Sequence, residues 1–343
     1  MGIGFVGQVT RAITVDEASQ VGQVRREAQV LAQLADFAEL DAGRVTLAAV
    51  EIATNVLRHG RGGRVLLSLV QGRTSKGVEV CGIDRGPGFS LSDCLPDGYS
   101  TGGTPGQGLG AIKRQAQVFD VWSDARGAIV LARIYGERTR NEDLGYGALR
   151  LPMRQEPVCG DAWFVSRDDG GRTSGVLVDG LGHGLLAAEA ADAGIAAAAE
   201  GPELAADEVL SRMHARMSPT RGGAAAAFVH EPESGVVRFA GVGNIAAAIH
   251  EPGQPSRGLA SHPGIVGSQH RRTPSFVVPA APGALLLMHS DGLQTRWSLS
   301  QYEGLVYRHP ALVLAVLLRD FDRGRDDTGA LAVRLEAQRD QYH

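Results

Sequence analysis

The chain has almost no lysine: Lys76 and Lys113 are the only two, and every other basic side chain apart from histidine is arginine, a bias of genome composition rather than of function. No stretch approaches the roughly 20 uninterrupted apolar residues that a membrane helix requires. The N-terminus has no basic segment followed by an apolar run, so neither a membrane span nor a secretory leader is expected. Cysteine is scarce: Cys81, Cys94 and Cys159 are odd in number and not at metal-ligand spacing. That excludes a disulfide framework and points to a reduced, cytoplasmic protein. A net charge of only −4, without a dense basic stripe, argues against nucleic acid as the principal partner. What is present is a globular composition, 43% hydrophobic and 21% charged over 343 residues, enough for two domains with their own cores.

The first half opens on a short strand. An apolar series then runs Val21, Val24, Ala28, Leu31, Leu34, Phe37, in steps of three and four that describe one helical face. A second helix starts near Asp41 and carries Val45, Ala49, Ile52 and Val56. Strands are predicted at 64–70, 77–84 and 128–135, with a glycine-rich stretch at 101–110 leading into a helix near Ala111. Residues 138–147 mix charge, Asn and Gly without apolar periodicity and read as a linker. Beyond it, strands are predicted at 174–178, 223–229, 236–241, 245–250 and 284–288, with helices at 185–199, 204–217 and 310–321.

Three pieces of the first half carry chemistry together. Glu51 and Asn55 are four apart, so they stack on one face of the second helix. A carboxylate there can deprotonate a nucleophile, and an amide oxygen can ligate a magnesium ion shared with phosphates. Asp84, at a strand end in Asp84-Arg85-Gly86-Pro87-Gly88, can accept a hydrogen bond from an adenine amino group, while Gly86 and Gly88 admit the base. Gly106-Gln107-Gly108-Leu109-Gly110 precedes a helix and offers bare N–H groups to phosphate oxygens, with Lys113 adding a charge. In this order the pieces resemble the GHKL ATPase superfamily, and more closely the anti-sigma-factor kinases of the RsbW/RsbT type, over residues 5–136. The resemblance implies an α/β sandwich binding ATP and Mg2+, with Asn55 as magnesium ligand, Glu51 as catalytic base and Asp84 as adenine contact. Such kinases phosphorylate a serine or threonine on a small STAS-domain antagonist. One departure is Ala128, where such domains usually place a threonine after the glycine; losing that hydroxyl removes a hydrogen bond worth about 0.5–1.5 kcal/mol.

In the second half, Asp161, Asp179, Asp291 and Asp326 stand at strand ends or tight turns. Any single Asp-Gly pair is turn chemistry. Four from different strands can converge at one sheet edge, and hard oxygen ligands suit manganese or magnesium rather than zinc. Asp179-Gly180-Leu181-Gly182-His183-Gly184 is the most distinctive segment, and with 282–292 it resembles the PPM-type phosphatases, specifically the SpoIIE/RsbX branch, over residues 148–336. The resemblance implies a β-sandwich flanked by helices, two Mn2+ or Mg2+ ions held by Asp161, Asp179, Asp291 and Asp326 with the Gly180 carbonyl, and hydrolysis of phosphoserine or phosphothreonine without a phosphoenzyme. Two departures bear on a third, looser metal: no second Asp follows Asp161 closely, and Asp326-Asp327 runs directly into Thr328. His183 is a candidate proton donor to the leaving oxygen, with an exposed loop histidine as the alternative. Cys159 beside the motif reads as a small buried thiol.

The expected fold class is therefore α+β: a GHKL-type domain over 1–137, a linker over 138–147 and a PPM-type α-β-β-α domain over 148–337. The resemblances imply a partner switch, in which a phosphorylated STAS-domain antagonist is the substrate and anti-sigma and sigma components lie downstream. They leave open whether the ATP domain transfers phosphate or only senses nucleotide. A non-enzymatic sequestering protein is the third reading, disfavoured because all four aspartates are present. Domains of both families commonly dimerise, so a homodimer is an expectation without a named face.

Overall fold

The computed structural model describes residues 2–89, 108–136, 142–153, 156–268 and 273–336. The chain divides into two compact units, Thr10–Leu144 and a second made of Met1–Val9 with Gly145–His343.

The first unit is a five-stranded antiparallel sheet in the order β2-β3-β4-β6-β5, built from β2 (Arg11–Val15), β3 (Gly63–Gln71), β4 (Lys76–Asp84), β5 (Val118–Asp124) and β6 (Gly127–Tyr135). Three helices, α1 (Ala18–Leu34), α2 (Glu39–Arg58) and α3 (Gly108–Gln115), pack on it. The apolar periodicity explains the packing. Val24, Ala28 and Leu31 of α1, and Val45, Ala49, Ile52 and Val56 of α2, are all buried, which is the stripe that drives an amphipathic helix onto a sheet. Gly82 in β4 lets α2 come close, since a Cβ there would stand 2.5 Å from a methyl of Ile52.

The second unit is two antiparallel sheets with helices outside, an α-β-β-α sandwich. The strands that matter for chemistry are β1 (Ile3–Val6), β7 (Tyr146–Leu151), β8 (Asp161–Arg167), β9 (Thr173–Gly180), β10 (Gly223–Glu231), β15 (Leu285–His289) and β16 (Thr328–Arg334). With β11 (Val236–Val242), β12 (Ala246–His250), β13 (Arg257–Leu259) and β14 (Phe276–Pro279) added, one sheet has the order β1-β8-β9-β10-β11-β14 and the other β13-β12-β15-β16-β7. Helices α4 (Leu185–Ala199) and α5 (Ala206–Met217) pack on the first sheet and α6 (Pro310–Phe321) on the second. The alanine-rich α4 is a close-packing device. Ala187, Ala190, Ala191, Ala197 and Ala198 are buried, and an added Cβ on Gly194 would meet the Met217 sulfur at 2.8 Å.

Two expected boundaries are corrected. The opening strand does not belong with the first domain: β1 pairs antiparallel with β8, Val6 opposite Phe164. The Gly7 N–H continues the ladder to Trp163 O at 3.0 Å, the Phe5 and Trp163 rings lie 5.7 Å apart, and Arg150 donates to Gly7 O at 3.1 Å. The unit at 10–144 is thus an insertion between β1 and β7. Nor are residues 142–147 a free linker. Glu142 accepts from Thr74 N at 2.9 Å and Thr74 Oγ1 at 2.6 Å, Asp143 accepts from Arg133 and from the Tyr135 hydroxyl, and β7 already begins at Tyr146. Residues 138–141 of that expected linker lie outside the described residues.

Among the described residues, no helix is long and apolar enough to cross a membrane.

Candidate functional site

The second unit gathers its acidic residues at strand ends. Asp161 opens β8 and stands opposite Asp179, near the end of β9, in the antiparallel register, close enough for their carboxyl groups to influence one another. Asp291 follows β15, and its Oδ2 accepts from Asn244 Nδ2 at 3.2 Å. Asp326 precedes β16, and its Oδ1 caps the Asp327 N–H at 2.9 Å. Carboxylates from both sheets thus share one neighbourhood, brought together by strand ends and the turns beside them. Gly180 closes β9 by donating to Gly160 O at 2.9 Å. A Cβ on it would lie 2.2 Å from Ala187 O, so α4 can fold back onto the motif only over glycine.

The electrostatics are those of an array short of positive charge. Burial, then the negative charge of Asp179, raises the Asp161 carboxyl well above the usual range, against the lowering effect of a hydrogen bond from Ser290. Asp179 is pushed up to about 7, first by burial and then by repulsion from Asp291, Asp326 and Asp327. Like charges this close raise one another's pKa unless a cation intervenes. Among the described residues, no three His, Cys, Asp or Glu side chains stand together as a group that could hold a metal ion. The carboxylates form a looser, open array, whose all-oxygen, mutually repelling donors are of the chemical type that hard divalent cations take. Burial, followed by repulsion from Asp161 and Asp327, also raises the neighbouring Cys159 thiol, which keeps it protonated.

Three supporting residues escape a motif reading. Ser290 donates to Asp161 Oδ2 at 2.6 Å and receives the Gly329 N–H at 3.0 Å. Arg150 reaches across to Asp192 at 2.7 Å. Asp327 is only 3% exposed and takes the N–H groups of Met153 (2.7 Å) and Gly160 (2.8 Å). Both members of the acidic pair repel Asp179, and Asp327 in addition braces the turn before Asp161. Asp327→Ala leaves two buried donors unpaired and should cost about 2–5 kcal/mol. A lowered thermal midpoint is expected there, whereas Asp326→Ala should melt like the parent and lose manganese affinity by calorimetry.

His183 is exposed, with Nδ1 3.1 Å from Glu156 Oε1. It stands in the loop after Asp179, outside the carboxylate set.

In the first unit the described pieces also meet. Asp84 ends β4, and its Oδ1 accepts from Gly86 N at 2.8 Å and Ala128 N at 3.0 Å. This fixes the carboxylate so that Oδ2 can receive an amino group. The backbone around it is pared down: a Cβ on Gly60 would lie 2.3 Å from Asp84 Cβ, and one on Gly127, whose φ is +130°, would lie 2.1 Å from Asp84 O. Gly88 adopts φ +72°. Glu51 and Asn55 are half-buried on α2. Gly108, the first residue of α3, sits against Asn55, with its notional Cβ 3.4 Å from Oδ1. A helix N-terminus beside an amide oxygen suits a magnesium-phosphate group. Gly110 lies in the first turn of α3, and Lys113 is exposed farther along it. Gly106 lies outside the described residues.

Comparison with known proteins follows this geometry. Residues 14–134 match the family described as histidine kinase-like ATPase domain, and residues 169–335 match that of stage II sporulation protein E. The second match begins after Asp161, which the strand pairing adds to the array. The chain is 33% identical over 90 residues to the serine/threonine-protein kinase RsbT of Bacillus subtilis, covering 26% of this chain and 68% of RsbT. A chain solved in a study of the bacterial stressosome is 26% identical, with a TM-score of 0.50 over 55% of this chain and 98% of that one. The magnesium complex of RsbX is 20% identical, with a TM-score of 0.49 over 55% of this chain and 94% of that one.

Proposed function

This chain belongs to the SpoIIE-type serine/threonine phosphatases and carries an RsbT-like ATPase domain in the same polypeptide; from that premise we propose that it hydrolyses phosphoserine or phosphothreonine on a STAS-domain antagonist within a bacterial partner switch. The observation that carries the proposal is the Asp161–Asp179–Asp291–Asp326 array, with Asp179 pushed up to about 7. Buried carboxylates under mutual repulsion are costly in a structural role and useful as cation ligands.

In this reading Asp161, Asp179, Asp291 and Asp326, with the Gly180 carbonyl, hold two manganese or magnesium ions. Bound there, the ions acidify water and oppose the charge of the phosphate oxygens. The chain's own residues do the rest. Ser290 and Asp327 keep Asp161 in place through the bonds already described. Water adds to phosphorus, the bond from phosphorus to the seryl oxygen breaks, and that oxygen needs a proton. His183, oriented through Nδ1 by Glu156, can deliver one from Nε2.

The ATP unit is assigned Asp84 for adenine and Asn55 for the magnesium ion, with Gly86, Gly88, Gly106, Gly108 and Gly110 lining the nucleotide and Lys113 adding charge. Glu51 is assigned as the base that activates the acceptor hydroxyl. RsbT is named as a serine/threonine kinase, which supports phosphoryl transfer as the activity of this unit. A kinase and a phosphatase acting together on one site would cycle ATP without output, so regulation of one by the other is expected. The nucleotide-sensor alternative draws on Ala128, whose N–H keeps its bond to Asp84 but whose methyl cannot replace a hydroxyl.

The decisive experiment is hydrolysis of a phosphorylated STAS protein and of para-nitrophenyl phosphate, with manganese, with EDTA and with Asp291→Asn. Activity that needs manganese and vanishes in the variant is expected. Inactivity under every metal would make the second unit a binding module. For the first unit, Glu51→Ala should abolish phosphate transfer while ATP affinity, read by nucleotide fluorescence, stays within about threefold; unchanged transfer would remove Glu51 as base.

A further inference from the structure

The loop after Asp179 carries an unusual surface. Leu181, Leu185 and Leu186 are 50%, 64% and 47% exposed, within six residues of one another and directly beside the carboxylate array. The rest of α4 buries its alanines against the sheet, so the leucines of its first turn add nothing to that core. The loop turns through Gly182 (φ +88°) and Gly184 (φ +74°), and is held to its neighbour by Leu181 N donating to Gly222 O at 2.9 Å. A cluster of large apolar side chains in water is a surface kept for contact rather than for stability.

Arg221 adjoins the same loop. It immediately precedes Gly222, to which Leu181 is bonded. Its guanidinium also folds back over the loop, with Nη1 3.4 Å from where a Cβ on Gly182 would stand. Among the described residues it has no ion-pair or hydrogen-bond partner, whereas Arg150, Arg167, Arg216, Arg238, Arg257 and Arg319 of the same unit are each paired with a carboxylate. Glu156, which lies against this loop at Gly184, is engaged with His183. An unpaired guanidinium at the rim of an acidic array is suited to an anion brought to that array, and its planar fork matches phosphate oxygens.

We propose that Arg221 and the Leu181, Leu185 and Leu186 rim form the substrate-recognition edge of the phosphatase. Arg221 takes an outer oxygen of the phosphoryl group. The leucines take apolar side chains flanking the phosphorylated residue in a polypeptide. The inference rests on the phosphatase reading and deepens it: the preferred substrate is a phosphoserine or phosphothreonine with an aliphatic neighbour, not a free phosphate monoester. The occupant is argued from continuity, because a polypeptide that presents its phosphate beside Asp179 must pass over the loop that begins there. Arg221 is a substrate-binding residue for the phosphate, and the carboxylate array carries the chemistry.

The test is steady-state kinetics on the full chain with manganese, comparing para-nitrophenyl phosphate with two phosphoserine peptides, one leucine-flanked and one glycine-flanked. Arg221→Ala should raise KM for all three, and the inhibition constant of inorganic phosphate, by about 10- to 100-fold. Its kcat should stay within about threefold and its melting midpoint unchanged, and Arg221→Lys should recover part of the loss. The double variant Leu181→Ser, Leu185→Ser should raise KM about tenfold for the leucine-flanked peptide alone. Unchanged KM values in Arg221→Ala, with an active wild type, overturn the inference and leave the phosphatase reading standing. Leucine variants that change sedimentation but not KM make the rim a self-association face and overturn it as well. A wild type inactive on every substrate overturns both.

Discussion

Asp179→Asn should lower phosphate hydrolysis by about a thousandfold or more while making the metal-free protein harder to melt at pH 8. Both effects follow from one carboxylate. As a candidate ligand near the end of β9, Asp179 is central to the array, and an amide is a far weaker partner for a hard cation. Losing one central charge from a catalytic set commonly costs several kcal/mol of transition-state stabilisation, or about 10³-fold or more in rate. The stability change has the opposite sign. The Asp179 carboxyl is raised to about 7 in the folded protein, from an ordinary value of 3.8. Below pH 4 it is protonated in folded and unfolded chains alike and contributes nothing. From pH 4 to 7 the unfolded chain releases the proton and the folded chain keeps it, so stability falls as pH rises; above 7 the loss is complete. At about 1.4 kcal/mol per unit the full cost is a few kcal/mol, and the neutral Asn removes it. Melting curves of both proteins in EDTA at pH 5 and pH 8 should differ little at the acid end and by several degrees at the alkaline end. Manganese should narrow the gap by raising the wild-type midpoint more at pH 8 than at pH 5. A variant no more stable at pH 8 would mean that the array is not under repulsive load.

The second large effect concerns a part of the chain with no chemistry of its own. Removing residues 2–9 should abolish phosphatase activity and lower the melting temperature of the second unit, while ATP binding survives. β1 supplies the outer hydrogen-bonding partner of β8, and β8 begins with Asp161. Without β1 the indole of Trp163 loses Phe5 and the Gly7 backbone, where even a methyl group would collide with the ring at 2.0 Å. Arg150 loses its acceptor on Gly7. A lost bond to the buried Arg150 guanidinium, which keeps Asp192, and a stripped aromatic together cost about 3–6 kcal/mol, a large share of a domain's stability. Replacing residues 10–144 with a short Gly/Ser linker keeps β1 in place and should give a folded phosphatase. The pair of variants separates the structural part of the N-terminus from any regulation by the ATP unit. Full activity in the 2–9 deletion would show that the β1–β8 pairing is dispensable.

These two cases mark where sequence reading succeeds and where it stops. The Asp179–Gly184 segment and the Ser290-Asp291-Gly292 turn announce themselves, because glycine at such density wastes stability unless backbone or ligand must come close. The helices at 185–199 and 310–321 are legible to the residue from apolar content and from Pro310. Ile3–Val6 is a four-residue strand with no local feature naming a partner, and its neighbour in sequence is a different domain. Pairing across so many residues leaves no periodicity to read. β5 was missed because Val118–Asp124 mixes apolar, acidic and polar residues without an uninterrupted core pattern. Asp326 and Asp327 are chemically identical, and only burial, intermediate for one and 3% for the other, marks which of them also braces the neighbouring turn. Ser290 was read as part of a turn; its bond to Asp161 joins two sheets and leaves no trace in spacing.

The insertion also sets an order of synthesis. Val6 leaves the ribosome before the ATP unit, yet its partner Phe164 follows only after that entire unit has been made, roughly 10–30 s later at ordinary elongation rates. The contiguous stretch 10–144 can fold meanwhile, whereas the phosphatase cannot complete its first sheet until both flanks have emerged. A ribosome that stops early therefore releases a nucleotide-binding unit trailing an unpaired apolar strand, a target for protein quality control, and no message truncated at its 3′ end yields a phosphatase free of its companion.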